Sequence, residues 1–388
     1  MDHDIRDRSG EAANADPTVR PQDDFYRHVN GGWLATAEIP ADRPGSGAFT
    51  TLRDEAEAAC RQIVEELADS FSAAAPETTS QVLATNRGRV GALYAAFMDE
   101  EHLEELGADP LAVELAPVLG AASKEELARV LGEMTPIGFM GVVGADVEVD
   151  INDPERYTSW IGLSGLGLPD ESYYREEAQA PLREAYVAHV ARMLQLAGLT
   201  ESFGASGEAL AEQVMAVETD LAKGHWDRVT CRNVEKMNNP MSWQEIVDSA
   251  PGLPWQEWRT GILSAARAAG IEQTTFLDEV IVTQPDYLPH AAAVWQGTDV
   301  ENLKAWAAWH VVHARATLLS HVFVEENFGF YGRTLQGTDE LRARWKRGVG
   351  LVESCLGEAL GEIYVERHFP PSHKSAMEKL VGRLIEAY

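Results

Sequence analysis

Residues 207–224 read GEALAEQVMAVETDLAKG, and their spacing decides the fold class. Leu210, Val214, Val217 and Leu221 advance by four, three and four residues, which places them on one helical stripe. Gly224 is positioned to end that helix. Outward from this stretch the same period returns. Leu52, Ala56, Ala59, Ile63 and Leu67 make one stripe, and Val352, Leu356, Leu360 and Ile363 another. Met377, Leu380, Val381, Leu384, Ile385 and Tyr388 make a last one. One stretch, Ile137 to Gly167, has a different period. There Val143, Ala145, Val147, Val149 and Ile151 alternate with glycine or acidic residues, as in a half-buried strand. Asn152-Asp153-Pro154 is turn chemistry, and Tyr157 to Leu163 supplies a strand to pair back. The expectation is a mainly α protein: a large multi-helix lobe with one small antiparallel β-hairpin at about 137–167. Residues 1–20, polar and acidic, read as a flexible lead-in. The last stripe is still running at Tyr388 with no stop signal, which implies a fold that continues elsewhere.

Bulk properties exclude several classes. The 388 residues are 45% hydrophobic and 24% charged, an ordinary globular balance. Against 62 acidic residues stand 32 basic ones, giving a formal charge of −30. Nucleic-acid phosphates and an anionic membrane face would both repel such a surface, so neither is expected as a partner. The longest uncharged apolar stretch, Met134 to Ala145, is well short of the roughly 20 residues that a membrane helix needs. Met1-Asp2-His3-Asp4 lacks the positive start of a secretory signal. Cys60, Cys231 and Cys355 are odd in number and far apart, so they form neither a disulfide framework nor a metal-binding pair. A cytoplasmic location is expected.

The residues by themselves leave the chemistry open. There is no GxxxxGK[ST], no GxGxxG opening a helix, no GxSxG and no HExxH. His310 and His313 share a helical face and are the one metal-like pair, with satisfied core histidines as the competing reading. His321 lies about 16 Å further along at helical rise, too far for the same ion. Acidic runs such as Asp99-Glu100-Glu101 and Glu325-Glu326 read as solvated faces. Trp295, Trp306, Trp309 and Trp345 read as core before they read as a ligand groove.

A colinear series of motifs carries more. Pro21-Gln22-Asp23-Asp24-Phe25-Tyr26-Arg27-His28-Val29-Asn30-Gly31-Gly32-Trp33-Leu34 resembles the opening signature of the neprilysin-like (M13) zinc metallopeptidases. Ile39-Pro40, Leu52-Arg53-Asp54-Glu55 and Tyr94 to Glu101 resemble the next blocks, and Gly165-Leu166-Gly167-Leu168-Pro169-Asp170-Glu171-Ser172-Tyr173-Tyr174 the family's GLGLPDxxYY segment. Glu218 to Ser242, Phe328 to Gly332, Leu335-Gln336-Gly337, Arg344-Trp345-Lys346-Arg347 and Tyr364 to Tyr388 follow in family order.

This resemblance implies a large helical lobe that faces a thermolysin-like zinc lobe and encloses a cavity admitting peptides. In the family, zinc is held by the two His of HExxH and a Glu of a later ExxxD, and the HExxH Glu is the general base. All of these fall beyond the point matching Tyr388. The chain therefore carries no expected catalytic residue and no expected zinc ligand. Its implied cofactor is zinc in the complete enzyme, its implied partners a C-terminal zinc-binding lobe or subunit and a peptide substrate. Two positions depart from the family pattern. Gly45-Ser46-Gly47-Ala48-Phe49-Thr50 stands where some relatives have Arg-Tyr-Gly-x-Phe-Asp, so the carboxylate-binding guanidinium is missing at Gly45. Arg43, two residues earlier, and Phe49 are the candidate substrate-binding residues. Asn238 replaces an aromatic before Asn239. The expected function is the N-terminal lobe of an M13-type metalloendopeptidase. The alternatives are a non-catalytic peptide-binding or scaffold subunit and, more distantly, a zinc site on His310 and His313.

Overall fold

The structure is a computed structural model that describes residues 14–139, 141–272 and 275–388. Residues 1–13 of the expected lead-in lie outside the described residues. Its remainder is tied down: Asp16 N donates to His28 O at 2.9 Å, and the Asp16 carboxylate accepts from Thr18 N. The chain divides into two compact units. One joins the residues up to Asp99 to Gln336–Tyr388, and the other is Glu100–Leu335.

In the first unit, helices Ala48–Ser72, Asn86–Met98 and Arg344–His368 surround a core of Cys60, Ile63, Val64, Val90, Tyr94, Val349, Val352, Leu360 and Ile363. Thr85 starts the second helix by accepting from Gly88 N at 3.0 Å, so an otherwise orphaned N–H is satisfied. Two details differ from the sequence reading. Leu52 is exposed, because the first turns of its helix extend past the core. Arg344–His368 is interrupted at Leu356, whose backbone (φ −136, ψ 30) is not helical. Helix Pro371–Ala387 has no buried residue, and its apolar stripe is open along its length.

In the second unit, Leu210, Val214, Val217 and Leu221 are all buried on helix Gly207–Ala222, as their spacing requires. Gly224 is there for room rather than for a left-handed turn. A Cβ on it would lie 2.2 Å from His290 Cδ2. Helix Gly207–Ala222 packs with Ala180–Leu196 and Val300–Arg315, and Lys124–Met134 packs with Trp255–Ala268.

The expected hairpin is present but is not alone. Strands β1 (Val143–Asp150) and β2 (Asp153–Leu163) pair antiparallel. They continue into β3 (Asn239–Ser242) and β4 (Glu279–Val282) as a four-stranded sheet of order β1-β2-β4-β3. β4 runs parallel to β2 and antiparallel to β3. Ser159, Ile161, Val280 and Val282 turn one face to the core. The β1 apolar row is buried only at its start: Val143 is 4% exposed, whereas Val147 and Val149 are 56% and 41% exposed. Asp150 closes the hairpin by accepting from Asn152 N and pairing with Arg156 at 2.5 Å. Asn238, which replaces an aromatic, exchanges side-chain hydrogen bonds with Asn152 at 2.8 and 3.1 Å and so ties β3 to that turn.

Candidate functional site

The GLGLP segment, singled out in the sequence, runs from the end of β2 into the core, and its backbone is held by side chains from four other places in the chain. Tyr287 Oη donates to Val142 O and lies 3.3 Å from Ser164 O. Trp306 Nε1 donates to Gly165 O at 3.1 Å, and Tyr331 Oη to Gly167 O at 2.9 Å. Tyr174 Oη accepts from Gly167 N and Leu168 N at 3.2 and 2.9 Å. Two of its glycines have a stated reason. Gly165 has φ +90, a region that favours glycine, and a Cβ on Gly167 would fall 1.9 Å from Tyr186 Oη.

Behind this segment Glu218 is fully buried. Its carboxylate accepts from Tyr174 Oη at 2.7 Å and from Tyr186 Oη at 3.0 Å. Tyr186 Oη in turn accepts from Trp309 Nε1 at 2.8 Å. Burial first, and the Glu218 charge second, push the Tyr174 and Tyr186 phenols well above their ordinary range, so both remain donors at any working pH. The arrangement is a closed frame in which each donor meets an acceptor around one buried acid.

The histidines sit beside this frame. His310 Nε2 is 3.1 Å from Glu218 Oε1, close but not aligned as a hydrogen bond. His313 is stacked on Trp309 (5.4 Å between centroids) and tilted against Tyr331 (4.6 Å). Burial drives its pKa down to about 3, with His310 and His189 adding to the effect. His189, also fully buried, places Nδ1 2.9 Å from Glu326 Oε1 and stacks on Phe330. Phe330 and Tyr331 reach these rings from a π-helical stretch, Phe328–Leu335, whose wider turn begins directly after helix His321–Asn327. His321 opens that separate helix, because the chain breaks at Ala316–Leu318. Its N–H donates to Glu104 Oε1.

These side chains do not fit a zinc ion. His313 is sandwiched among aromatic rings, and His310 Nε2 faces a carboxylate that is also engaged by two phenols. Among the described residues no group of three or more His, Cys, Asp or Glu is arranged to hold a metal. Trp295, Trp306 and Trp309 are core, and Trp345 lies under the Arg61 guanidinium at 4.4 Å. In the other unit, Arg43 gives Nη1 to both Asp54 oxygens at 3.1 Å and Nε to Asp42 at 3.2 Å, with its side chain 8% exposed. Phe49 stands 88% exposed. Glu218, Tyr186 and Tyr331 were not legible as a cluster. The available signal was an acid directly beside Val217 within an otherwise apolar helical face.

The model of peptidase family M13, for its N-terminal part, matches residues 21–388. The chain belongs to peptidase family M13. Among M13 relatives, membrane metallo-endopeptidase-like 1 of Homo sapiens is 26% identical over 96% of this chain and 48% of its own length. Neprilysin of Homo sapiens is 24% identical over 97% and 51%. The crystal structure of Mycobacterium tuberculosis zinc metalloprotease ZMP1 in complex with an inhibitor superposes with TM-score 0.84 at 41% identity, covering 97% of this chain and 54% of that one. The chain thus spans about half the length of the M13 relatives it matches.

Proposed function

We propose that this chain is the helical part of an M13 zinc metalloendopeptidase that hydrolyses peptides able to enter its cavity. It acts together with a zinc-binding catalytic part, carried in the same or in a second chain. The observation that carries this reading is the match to the family over residues 21–388, which spans half of each relative, with 41% identity to a zinc metalloprotease of known structure. The 388 residues contain no HExxH, so zinc and the hydrolytic step are assigned to the other part. What these residues contribute is a stiff wall, with the Glu218 frame fixing the GLGLP backbone against drift. Phe49, standing clear of its neighbours, is the contact proposed for peptide. Arg43 can meet a peptide carboxylate only by giving up Asp42 or Asp54. A cytoplasmic location belongs to the same reading, supported by three cysteines that are all unpaired.

The second reading is a peptide-binding or scaffold subunit without hydrolysis. Native mass spectrometry with zinc quantification, on protein from its own source, separates the two. The peptidase reading expects stoichiometric zinc together with cleavage of a quenched fluorescent peptide, abolished by phenanthroline and restored by zinc. A zinc-free 42.5 kDa chain that binds peptide without cleaving it sinks that reading in favour of the scaffold.

A further inference from the structure

Strand β1 lies at the edge of the sheet, and residues 146–149 along it are exposed. The strand stays paired with β2 there, but the Val147 N–H points away from it. Val147 N–H goes to the neighbouring Asp146 Oδ1 at 2.7 Å rather than to the opposite strand. An antiparallel strand gives every second residue's N–H and C=O to its partner, so Val147, and with it Val149, directs its backbone groups outward. Side chains alternate across the same edge. Asp146 and Glu148 project to one face, while Val147 and Val149 project to the other, joined there by Tyr157 opposite Val149. On the acidic face a hollow of about 260 Å³ is lined by Asp146, Glu148, Trp160 and Thr283 among others. Trp160 is half-buried, and its Nε1 has no acceptor.

From this juxtaposition we infer that the free edge of β1 takes up an extended peptide segment in which basic residues alternate with apolar ones, adding as a fifth strand. The backbone of such a segment pairs with residue 149 and, as Asp146 Oδ1 gives up the Val147 N–H to meet the incoming cation, with residue 147, as in other cases of strand addition. Its lysine or arginine side chains fall beside Asp146 and Glu148 and reach the Trp160 indole, a good face for a cation. Its apolar side chains cover Val147, Val149 and Tyr157. The chain's charge of −30 attracts the same class of peptide from solution. The inference rests on the reading that this protein handles peptides, and it names cationic, extended ones as the preferred class. Acidic residues on an edge strand also serve to prevent unwanted pairing, and the test separates the two roles.

The probe is a blocked, fluorescein-labelled heptapeptide of alternating lysine and valine, titrated into the 388-residue chain at low salt and followed by anisotropy. Binding is expected, and a serine–valine heptapeptide should not bind. Methylating alternate backbone nitrogens of the probe, or combining Asp146→Asn with Glu148→Gln, is expected to weaken binding by about tenfold. Those two side chains are exposed, so the variant keeps its core. Failure of the lysine–valine peptide to bind overturns the inference. So does binding that methylation and the double substitution both leave unchanged, which would be adsorption to an acidic surface. Binding that behaves as expected, alongside protein from its own source that holds no zinc and cleaves no peptide, upholds this edge and removes the peptidase reading instead.

Discussion

Glu218 is the side chain on which most of the buried polar order depends. Truncating it to alanine leaves the Tyr174 and Tyr186 hydroxyls without their acceptor in a dry core, at a cost of about 3 kcal/mol. The expected outcome for Glu218→Ala is a lower urea midpoint with an unchanged slope. Glu218→Gln, which keeps one oxygen, should lose less. A midpoint equal to that of the parent would show the frame to be dispensable. His225 supplies a pH dependence whose sign is fixed by burial. It is 6% exposed and sits edge-on to Tyr287 at 4.8 Å. Desolvation, with His290 and Arg175 nearby, lowers its pKa from 6.5 to about 4. Below pH 6.5 the unfolded chain takes a proton that the folded chain refuses, so stability falls as pH drops from 6.5 towards 4. The loss from this residue is about 3 kcal/mol. His313 acts in the same direction. Urea midpoints at pH 7, 5.5 and 4.5 should decline, and His225→Asn should flatten the decline. An equal slope in parent and variant refutes the assignment.

Helices Lys124–Met134 and Trp255–Ala268 meet through two glycines. A Cβ on Gly132 would lie 2.1 Å from Trp258 O, and one on Gly261 would lie 2.1 Å from Arg129 O. Because the obstacle in each case is backbone, no rotamer change makes room. Gly261→Ala is expected to destabilise the chain by about 2–3 kcal/mol. Gly361, within helix Arg344–His368, has nothing within 4 Å of its would-be Cβ. There Gly361→Ala should stabilise by about 0.5–1 kcal/mol. Thermal melts of both variants check the contrast, and equal shifts would refute it. This is also the scale at which sequence reading succeeds and fails. The stripe of Leu210, Val214, Val217 and Leu221 and the β1–β2 hairpin were legible, because periodicity is a local property. Strands β3 and β4 were not: four residues are too few to show a period, and β4 pairs with a strand more distant in the chain. The run containing His310, His313 and His321 reads as one helix, yet it breaks at Ala316–Leu318. The buried frame draws Tyr174, Tyr186, Glu218, Trp309 and Tyr331 from five separate elements. Only packing brings them together, and no spacing rule anticipates it.

For the molecule as a whole, charge and exposed apolar surface oppose one another. A net charge of −30 keeps copies apart, whereas Leu380, Val381, Leu384 and Ile385, each about half or more exposed on one helix, favour burial against something. Salt screens the first and leaves the second. The chain should therefore self-associate as ionic strength rises, and Leu380→Lys with Ile385→Lys should abolish the effect, as read by light scattering after size exclusion. A parent chain that stays monomeric at high salt would refute it. The division into units has another consequence, for the newborn chain. The unit containing helices Ala48–Ser72 and Asn86–Met98 is completed only by helix Arg344–His368, with the whole of Glu100–Leu335 translated in between. At ordinary synthesis rates the first two helices wait roughly 10–50 s for the third. The inserted unit, contiguous in sequence, is free to fold during that interval. Ribosome-bound chains ending at Leu335 and tethered by a linker long enough to clear the exit tunnel should hold Glu100–Leu335 resistant to protease while Ile63 and Val90 are still open to it.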